Sequence, residues 1–535
     1  MDTIKKAAND AAWMNIPPRE LHISGVLDEE APSSLDLIAR EIIECQQAAD
    51  GTLESSRKFL SKLYAYNFIW SLQSAAESSG SIIDVPSEDL LLSLCEALRP
   101  TEAIVEEIDL EKDPFKGLPP LPHLAVFKAT AGISLSIICD ILTLNLLDSK
   151  PQIKHDVALA VATHSDRSVD WYTDENGKIC ESILDAYAST LAAESILVGY
   201  VLKMIIKPLF GKVPGSITET GRKAIRKPQT KPEVFTFADE KPWIKERPEA
   251  LSLLMFTVNH LQDEGVEQNW HLIVPPILTT LDEGDIVSKS HACEILNHVI
   301  RSVSPQFLSR TGLGSVFEEA ISPCLHYVPP LTPINHASRS FKAAVGALVG
   351  LSTRRYADKE DKAMRYQALD KILREGVFHG MTYAGENVKM VEVFLEETSV
   401  LVGLMGVRCV RHLSKLVSFC TAPMTSPFVM TYPEVAYRAA STLIEIIRNC
   451  WARVSEYNAE ILKAVVFCWM HVKDEEPDWI VELLREELKV VMVVLEHANR
   501  GTGWFEKART ALVGKEKGFE ALFELIGSKG LATGQ

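Results

Sequence analysis

The 535-residue sequence has no Cys-x-x-Cys pair, although its ten cysteines are spread from Cys45 to Cys468. Most of them stand in apolar, helix-like runs, so we expect reduced, buried thiols and not a disulfide framework. The first residues, MDTIKKAANDAAWMN, lack the apolar stretch of a signal peptide. The run ATAGISLSIIC, between Lys128 and Asp140, has eleven uncharged residues, which are too few to cross a bilayer. These features predict a protein of the cytoplasm, with the nucleus as an additional compartment.

The sequence also lacks an excess of basic residues, because 55 Lys and Arg oppose 72 Asp and Glu and the net charge is -17. We therefore expect neither nucleic acid nor a membrane among its partners, since both favour a basic surface. The hydrophobic fraction of 47% is ample for a buried core. A chain of this length exceeds the usual limit of a single core, which indicates two domains or an array of repeats.

Motifs that carry enzyme chemistry are missing from the sequence: it has no P-loop, Gly-x-Ser-x-Gly elbow, HExxH helix, EF-hand loop or kinase signature. Two Cys-His pairs, Cys409 with His412 and Cys468 with His471, have a spacing that could hold zinc. Both pairs lie in apolar helices without a second pair of ligands, which favours core packing. We expect no catalytic residue, no metal site and no cofactor. A site assembled from distant residues stays open as an alternative, which a metal determination on the purified protein would test.

The dominant period of the sequence is helical and predicts an all-α fold. Apolar residues recur at i, i+3, i+4 and i+7 within the stretches 251–261, 292–303, 313–328 and 480–495. Alternation with a period of two is nearly absent, and VFTF at 234–237 is the best strand candidate.

The clearest break in the helical pattern is a basic segment rich in Pro and Gly. Between Lys203 and Lys231 there are eight basic residues, and Glu219 is the only acidic one. The composition predicts a linker or mobile loop, with an interaction arm for an acidic partner as the alternative. The predicted organisation is a helical region over 1–205, a basic linker or loop over 206–245, and a HEAT-like repeat region over 246–535.

The stretch WHLIVPPILTTLDEGDIVSKSHACEIL, residues 270–296, predicts two helices joined by an acidic turn. Pro275 and Pro276 are expected to begin or kink the first helix, and Asp282 or Asp285 to cap the second, which opens at Val287. A second copy is predicted at 320–351, where Pro323 follows Pro276 by 47 residues, close to the period of HEAT repeats. Further helix pairs are predicted at 388–420 and 432–470. Together these patterns predict a HEAT-like α-solenoid of irregular helical hairpins.

Three ordered motifs resemble the Tel-two-interacting protein two family: KPLF at 207–210, NWHLIVPPILTTLDEGDIVSKSHACEIL at 269–296 and LSRTGLGSVFEEAISPCLHYVPPLTP at 308–333. The resemblance covers about 200–355. The positions that match the family motif are Trp270, Pro275, Pro276, Asp282, Lys289, Arg310, Thr311 and Gly312. We assign them structural roles first. For Lys289 and Arg310, pairing with helix carbonyls or acidic turns is expected, with contact to a partner as the alternative.

The resemblance implies a scaffold subunit of the Triple T (TTT) co-chaperone complex, with Tel-two and Tel-two-interacting protein one as partners. That complex acts with the ninety-kilodalton heat-shock chaperone and a RuvB-like ATPase complex. Its clients are the phosphatidylinositol-kinase-related kinases, among them TOR and the DNA-damage kinases. The family has no catalytic residues to carry over, so the chain is predicted not to be an enzyme. The alternative function is a HEAT-repeat nuclear transport adaptor or another protein-interaction scaffold.

The C-terminal half is predicted to supply most of the partner contact. In EELKVVMVVLEHA, residues 486–498, four valines lie around more than one face of the predicted helix: Val490, Val491, Val493 and Val494. A helix that is apolar beyond one stripe must bury a second side, either in its own core or against another chain.

Overall fold

The structure is a computed structural model, and its regular elements in the described residues are helices. These are 31–76, 88–111, 122–143, 151–186, 195–210, 215–218, 220–224, 242–358, 360–476 and 478–523. Within them, the isolated β contact is a bridge between Ile217 and Lys223. The predicted all-α fold is confirmed. The strand candidate at 234–237 lies outside the described residues.

The residues form two compact units, Met1–Val316 and Phe317–Gln535. This boundary differs from the division expected at 206–245, because part of that segment, residues 215–224, packs within the first unit. The predicted division into three regions therefore stays a prediction.

The first unit consists of helices that surround one long apolar helix. Its helices of six or more residues are α1 Ala31–Gln47, α2 Leu53–Ala76, α3 Glu88–Ala97, α4 Glu102–Glu111, α5 Pro122–Thr143, α6 Pro151–Ala162, α7 Asp174–Ala186, a π-helix Ser195–Ile206, α8 Ala250–His260, α9 Asp263–Gln268, α10 Trp270–Glu283, α11 Ile286–Ser302, α12 Pro305–Thr311 and α13 Gly314–Ile321, of which residues 317–321 belong to the second unit.

Helix α5 is longer than the uncharged run that it contains, and by length and composition alone it could cross a membrane. It packs, however, against α2, α3, α4 and α7. Ile133, Leu135, Ile137 and Ile138 on α5 are fully buried in the core of the unit. This central position accounts for the apolar sequence of the helix.

The hairpin predicted from the WHLIVPP stretch is present as α10 and α11. Asp285 caps α11 by accepting a hydrogen bond from the Ser288 amide at 2.7 Å. Pro275 and Pro276 were expected at the start or at a kink, but α10 begins at Trp270 and both prolines are buried in its interior. Packing on the core therefore holds a helical conformation that the prolines disfavour locally.

The second unit consists of helical hairpins in sequence. Its helices of six or more residues are α14 Ile334–Arg355, α15 Lys362–Lys371, a π-helix Ile372–Phe378, α16 His379–Ala384, α17 Val388–Met405, a 3-10 helix Gly406–His412, α18 Leu413–Met424, α19 Pro433–Val454, α20 Asn458–Val472, α21 Trp479–Ala498 and α22 Trp504–Lys515.

Successive hairpins of this unit repeat the same contacts. Helices α14, α17, α19 and α21 pack side by side in one layer, and α18 packs against α20 in a second layer. Residues that meet between neighbouring hairpins are separated by 54 positions for Lys342 and Glu396, 47 for Thr442 and Leu395, and 41 for Asn458 and Asn499. Two of these separations lie within the range of HEAT repeats, about 40–47 residues, and the third is longer, so the unit is a HEAT-like α-solenoid of irregular hairpins. The pairs predicted at 388–420 and 432–470 correspond to α17 with α18 and to α19 with α20.

Candidate interaction site

Part of the predicted linker is an ordered hairpin in the first unit. Residues 215–218 and 220–224 run antiparallel, with the Thr218 amide donating to the Arg222 carbonyl at 2.8 Å and the Ala224 amide to the Ser216 carbonyl at 2.9 Å. Gly221 adopts a φ of +70° in the turn, a conformation that glycine takes without strain. The segment therefore has a defined structure where its composition predicted a mobile loop. The remainder of 211–235 lies outside the described residues.

Trp270 fixes this hairpin to the helices. Its side chain is 3% exposed, and its indole N–H donates to the Gly221 carbonyl at 2.9 Å. A Cβ atom on Gly221 would lie 2.8 Å from Cδ1 of Trp270, so a side chain cannot be added there without displacing the ring. The close approach therefore requires glycine for two separate reasons, the positive φ and the lack of space.

The same indole continues into an aromatic and cationic stack. The rings of Trp270 and Phe307 meet edge to face with centroids 5.2 Å apart. The guanidinium carbon of Arg310 lies 5.8 Å from the Phe307 centroid. Both are favourable geometries for aromatic side chains, and they join two motif positions that are 40 residues apart in the sequence.

The C-terminal end of α12 accepts the second strand of the hairpin. The Thr311 carbonyl receives the Lys223 amide at 3.0 Å, and Gly312 ends the helix with a φ of +70°. The ammonium group of Lys223 then donates to the Ser315 hydroxyl at 2.7 Å. The hairpin thus satisfies a helix-end carbonyl that would otherwise need water or a capping group.

Four of the eight motif positions meet around this hairpin: Trp270, Arg310, Thr311 and Gly312. Pro275 and Pro276 lie in the buried interior of α10. Asp282 is exposed near the end of α10, about 18 Å along the helix axis from Trp270. Lys289 is half-buried in the first turn of α11. The motif residues therefore fix the hairpin at the start of α10 and lie at the turn between α10 and α11 at its other end.

Sequence reasoning missed Gly221, Lys223 and Phe307. Gly221 stands in a segment whose basic composition predicted a linker, and its partner Trp270 is 49 residues away. Phe307 had a usable signal, because it stands one turn before Arg310 on α12, within reach for an aromatic–cation contact.

In the first Cys-His pair each side chain has another neighbour, and in the second His471 contacts the Phe467 carbonyl at 2.8 Å. Sγ of Cys409 lies 3.2 Å from Sγ of Cys450, and Nε2 of His412 lies 2.7 Å from Oδ1 of Asp370. Cys468 is fully buried, and burial raises the pKa of its thiol to about 12. In the described ranges, no group of three His, Cys, Asp or Glu side chains is placed to hold a metal ion.

The second unit carries an apolar cleft of about 810 Å³ between α16, α18 and the start of α19. Its lining includes Phe378, Met381, Phe419, Phe428 and Tyr432. Phe428 is 68% and Tyr432 48% exposed, so large aromatic surface faces solvent at the rim. Exposed aromatic surface around a cleft is typical of protein-binding sites, and the cleft lacks a convergent catalytic set.

The fold and these sites define a HEAT-like helical-repeat protein in which motif residues hold structure together. The profile of the Tti2 family matches residues 157–431, and the chain belongs to this family. Membership agrees with the resemblance seen in the motifs and supports, in general terms, the role of a TTT co-chaperone subunit.

Three solved structures match this chain at low sequence identity. The "Crystal complex of SYS-1/POP-1" matches with 11% identity and a TM-score of 0.37, over 97% of this chain and 92% of that chain. The structure of yeast importin-β (Kap95p) matches with 10% identity and a TM-score of 0.39, over 97% and 65%. The Kap95p–RanGDP structure matches with 12% identity and a TM-score of 0.41, over 97% and 63%. The chain therefore spans slightly less than two thirds of the Kap95p chains, and the likeness is confined to the class of fold.

Proposed function

We propose that this chain is a non-enzymatic scaffold subunit of the TTT complex that binds Tel-two-interacting protein one and Tel-two. In this role it supports the maturation and stability of phosphatidylinositol-kinase-related kinases, together with the ninety-kilodalton heat-shock chaperone. The observation that carries the proposal is the family match over 157–431. We propose the cytoplasm and the nucleus as its locations.

The use of the motif residues supports a scaffold. Trp270 and Thr311 form hydrogen bonds with the hairpin, and Gly312 ends the helix beside it. Arg310 stacks on Phe307. A catalytic constellation instead brings a nucleophile, a base and a charge-stabilising donor toward one point in a cleft. The motif of this chain builds a rigid element that can position neighbouring surface.

The repeat architecture supports the same role. Stacked hairpins expose long surfaces whose residues come from several repeats, and such surfaces bind other proteins. The cleft in the second unit adds an apolar surface with exposed Phe428 and Tyr432. Aromatic side chains of this kind contribute much of the binding free energy at interfaces.

Affinity purification of the full chain from cells tests the proposed partners. We expect Tel-two and Tel-two-interacting protein one to co-purify in amounts comparable to the bait after a wash at moderate salt. Co-purification of a Ran-type GTPase and import cargo in their place would favour the nuclear transport adaptor and contradict the proposal.

Depletion of the protein tests the proposed consequence. We expect the half-lives of phosphatidylinositol-kinase-related kinases to shorten, while a protein kinase of another family in the same cells keeps its half-life. Re-expression of the wild-type chain should restore them. Unchanged half-lives after complete depletion would refute the assignment of these kinases as clients. The proposed partners would still be tested by the affinity purification.

A further inference from the structure

An apolar stripe faces outward on α21. Trp479, Leu483, Val490 and Val494 recur at spacings of four, seven and four residues, so they share one face of the helix. Trp479 is 66% and Leu483 43% exposed, and the two valines are half-buried. The opposite face holds the core: Leu484, Leu488, Val491 and Leu495 are fully buried. Helix α21 is therefore apolar on two faces, and the protein buries only one of them well.

Neighbouring helices of the same layer carry charges on their outward faces. On α17, Glu396 pairs with Lys342 of α14 at 2.6 Å, and Glu392 approaches Arg438 of α19 at 3.9 Å. On α19, Glu445 pairs with Arg448 at 2.9 Å. Ion pairs of this kind are typical of a solvated surface. On α17 and α19 single large apolar side chains are exposed, Val400 and Trp451, whereas α21 carries a stripe of four apolar residues.

The apolar stripe of α21 lies next to the neighbouring helix α19. Glu487 of α21 is within reach of Ser441 and Arg448 of α19, which fixes the two helices side by side. Val490 and Val494 follow Glu487 by three and seven residues, so they border the same inter-helix groove. The outward surface beside α19 is thus apolar on the side that α21 supplies.

Acidic side chains flank the exposed end of the stripe. Asp474, Glu475, Glu476, Asp478 and Glu482 are all exposed. Over residues 474–486 the one basic side chain is Arg485, and its guanidinium donates to the Val472 and Glu475 carbonyls. Just before this run, the ammonium group of Lys473 lies 3.7 Å from Asp474 and also pairs with Glu516. The flank therefore presents a dense negative field next to an exposed indole, a combination that attracts cationic side chains.

We propose that the surface formed by Trp479, Leu483, Val490 and Val494 docks an amphipathic α-helix of a partner protein. The partner helix has an apolar ridge at i, i+3/i+4 and i+7 spacing and Lys or Arg residues beside it. The ridge packs along this face of α21, and its cations face Glu475, Glu476 and Glu482. This is the helix-in-groove mode of recognition, with charge complementarity that sets orientation and rate of association.

The inference rests on the proposed scaffold function, because a partner must supply the helix. Photo-cross-linking decides which molecule that is: a benzophenone amino acid replaces Trp479 in the full-length chain expressed in cells. We expect a cross-link to a basic, amphipathic helical segment of another protein, identified by peptide mass spectrometry. A cross-link to a second copy of this chain, to an acidic segment, or no cross-link at all would overturn the inference.

The chain offers a closely matched control for the indole. Trp451, on α19, is 63% exposed, against 66% for Trp479. We expect Trp479→Ala to weaken binding of the full chain to purified Tel-two-interacting protein one with Tel-two by at least about 10-fold, the loss typical of an interface anchor. Trp451→Ala should change binding by less than 2-fold. Equal losses in both variants, or none in either, would refute the assignment to α21.

Charge reversal tests the chemistry of the partner. Glu475→Lys with Glu482→Lys should slow association about 10-fold at low salt and remove most of the salt dependence. Asp358→Lys with Glu360→Lys reverses two exposed charges elsewhere in the unit and should leave the association rate and its salt dependence unchanged. Failure of the wild-type chain to bind these two proteins would contradict the proposed function, whereas binding that is insensitive to position 479 would contradict only this inference.

Discussion

The indole N–H of Trp270 donates to the carbonyl of Gly221 at 2.9 Å across 49 residues of sequence. This bond joins the family motif to a hairpin in the basic segment, and it does so with an acceptor that every residue type possesses. The identity of residue 221 matters for a different reason, since the ring occupies the space where a side chain would begin. The motif residue Trp270 therefore depends on a glycine that lies outside the three motif stretches.

We predict that Gly221→Ala weakens the hairpin more than Gly51→Ala weakens its own turn. Both glycines have positive φ, +70° and +76°, so both substitutions carry a strain of about 1 kcal/mol. At Gly51 a new Cβ meets nothing within 4 Å, whereas at Gly221 it meets Trp270 at 2.8 Å. Hydrogen exchange of the Lys223 amide, which donates to Thr311, should be faster in Gly221→Ala, and urea unfolding of both variants compares the two losses of stability. Equal losses of stability in the two variants would show that the Trp270 ring moves aside without cost.

Local periodicity predicted the helices of the second unit well. The pairs at 388–420 and 432–470 were found because their apolar faces are continuous and each helix is bounded by its own turn. The hairpin at 215–224 was missed because its partners, Trp270 and Thr311, are distant in sequence and its own composition is polar. Tertiary contacts, not local propensity, hold that segment and keep Pro275 and Pro276 inside a helix.

For α21 the sequence predicted an excess of apolar surface but not its direction. Val491 is fully buried, whereas Val490, Val493 and Val494 are half-buried. The period of 3.6 places residues on faces, but the position of α19 decides which face is covered. The exposed Trp479 gave no sequence signal, because an aromatic at the first position of a helix is usual in a core.

We predict that the stability given by Asp166 is lost in acid. The Asp166 carboxylate lies 2.9 Å from Nε2 of His291, and both side chains are buried. Burial alone would raise the pKa of Asp166, but the His291 charge and hydrogen bonds from His291 and Ser168 outweigh it and hold the pKa well below its usual value. The contribution is therefore complete above the unfolded pKa of about 4 and falls as pH drops toward the lower folded value.

Asp166→Asn tests this expectation. At pH 7 it should lower the free energy of unfolding by about 2 kcal/mol or more, since it replaces a buried carboxylate that contacts His291 and Ser168. The difference between the variant and the wild type, measured by urea unfolding followed by circular dichroism, should shrink between pH 5 and pH 3. A difference that stays constant over this range would contradict the assigned cause.

We predict the opposite pH dependence for Glu397 on α17. Burial, and then the neighbouring Glu396, raise the pKa of Glu397 to about 7, although Lys342 acts in the other direction. A folded pKa above the unfolded value means that the wild type loses stability as pH rises from about 4.5 to 7. Glu397→Gln should therefore melt at a higher temperature than the wild type at pH 8 and at about the same temperature at pH 4. An advantage of the variant at both pH values would indicate packing and not ionisation.

The last prediction concerns the amide pair that joins α20 to α21. Nδ2 of Asn458 donates to Oδ1 of Asn499 at 2.6 Å, and Nδ2 of Asn499 donates back to Oδ1 of Asn458 at 3.0 Å, with both residues buried. Either single change, Asn458→Leu or Asn499→Leu, deprives a buried amide of its partner and should cost about 1–3 kcal/mol. The double variant removes both amides together and should cost less than the sum of the singles, with a coupling of about 1 kcal/mol or more. Urea unfolding of the four proteins gives this coupling.

Asn449→Leu, at a half-buried amide bonded to the Glu445 carbonyl one turn away, is the control and should be additive with Asn499→Leu. Additivity within the Asn458–Asn499 pair as well would mean that the two amides find other partners, and that apolar packing alone holds the terminal hairpin to the layer.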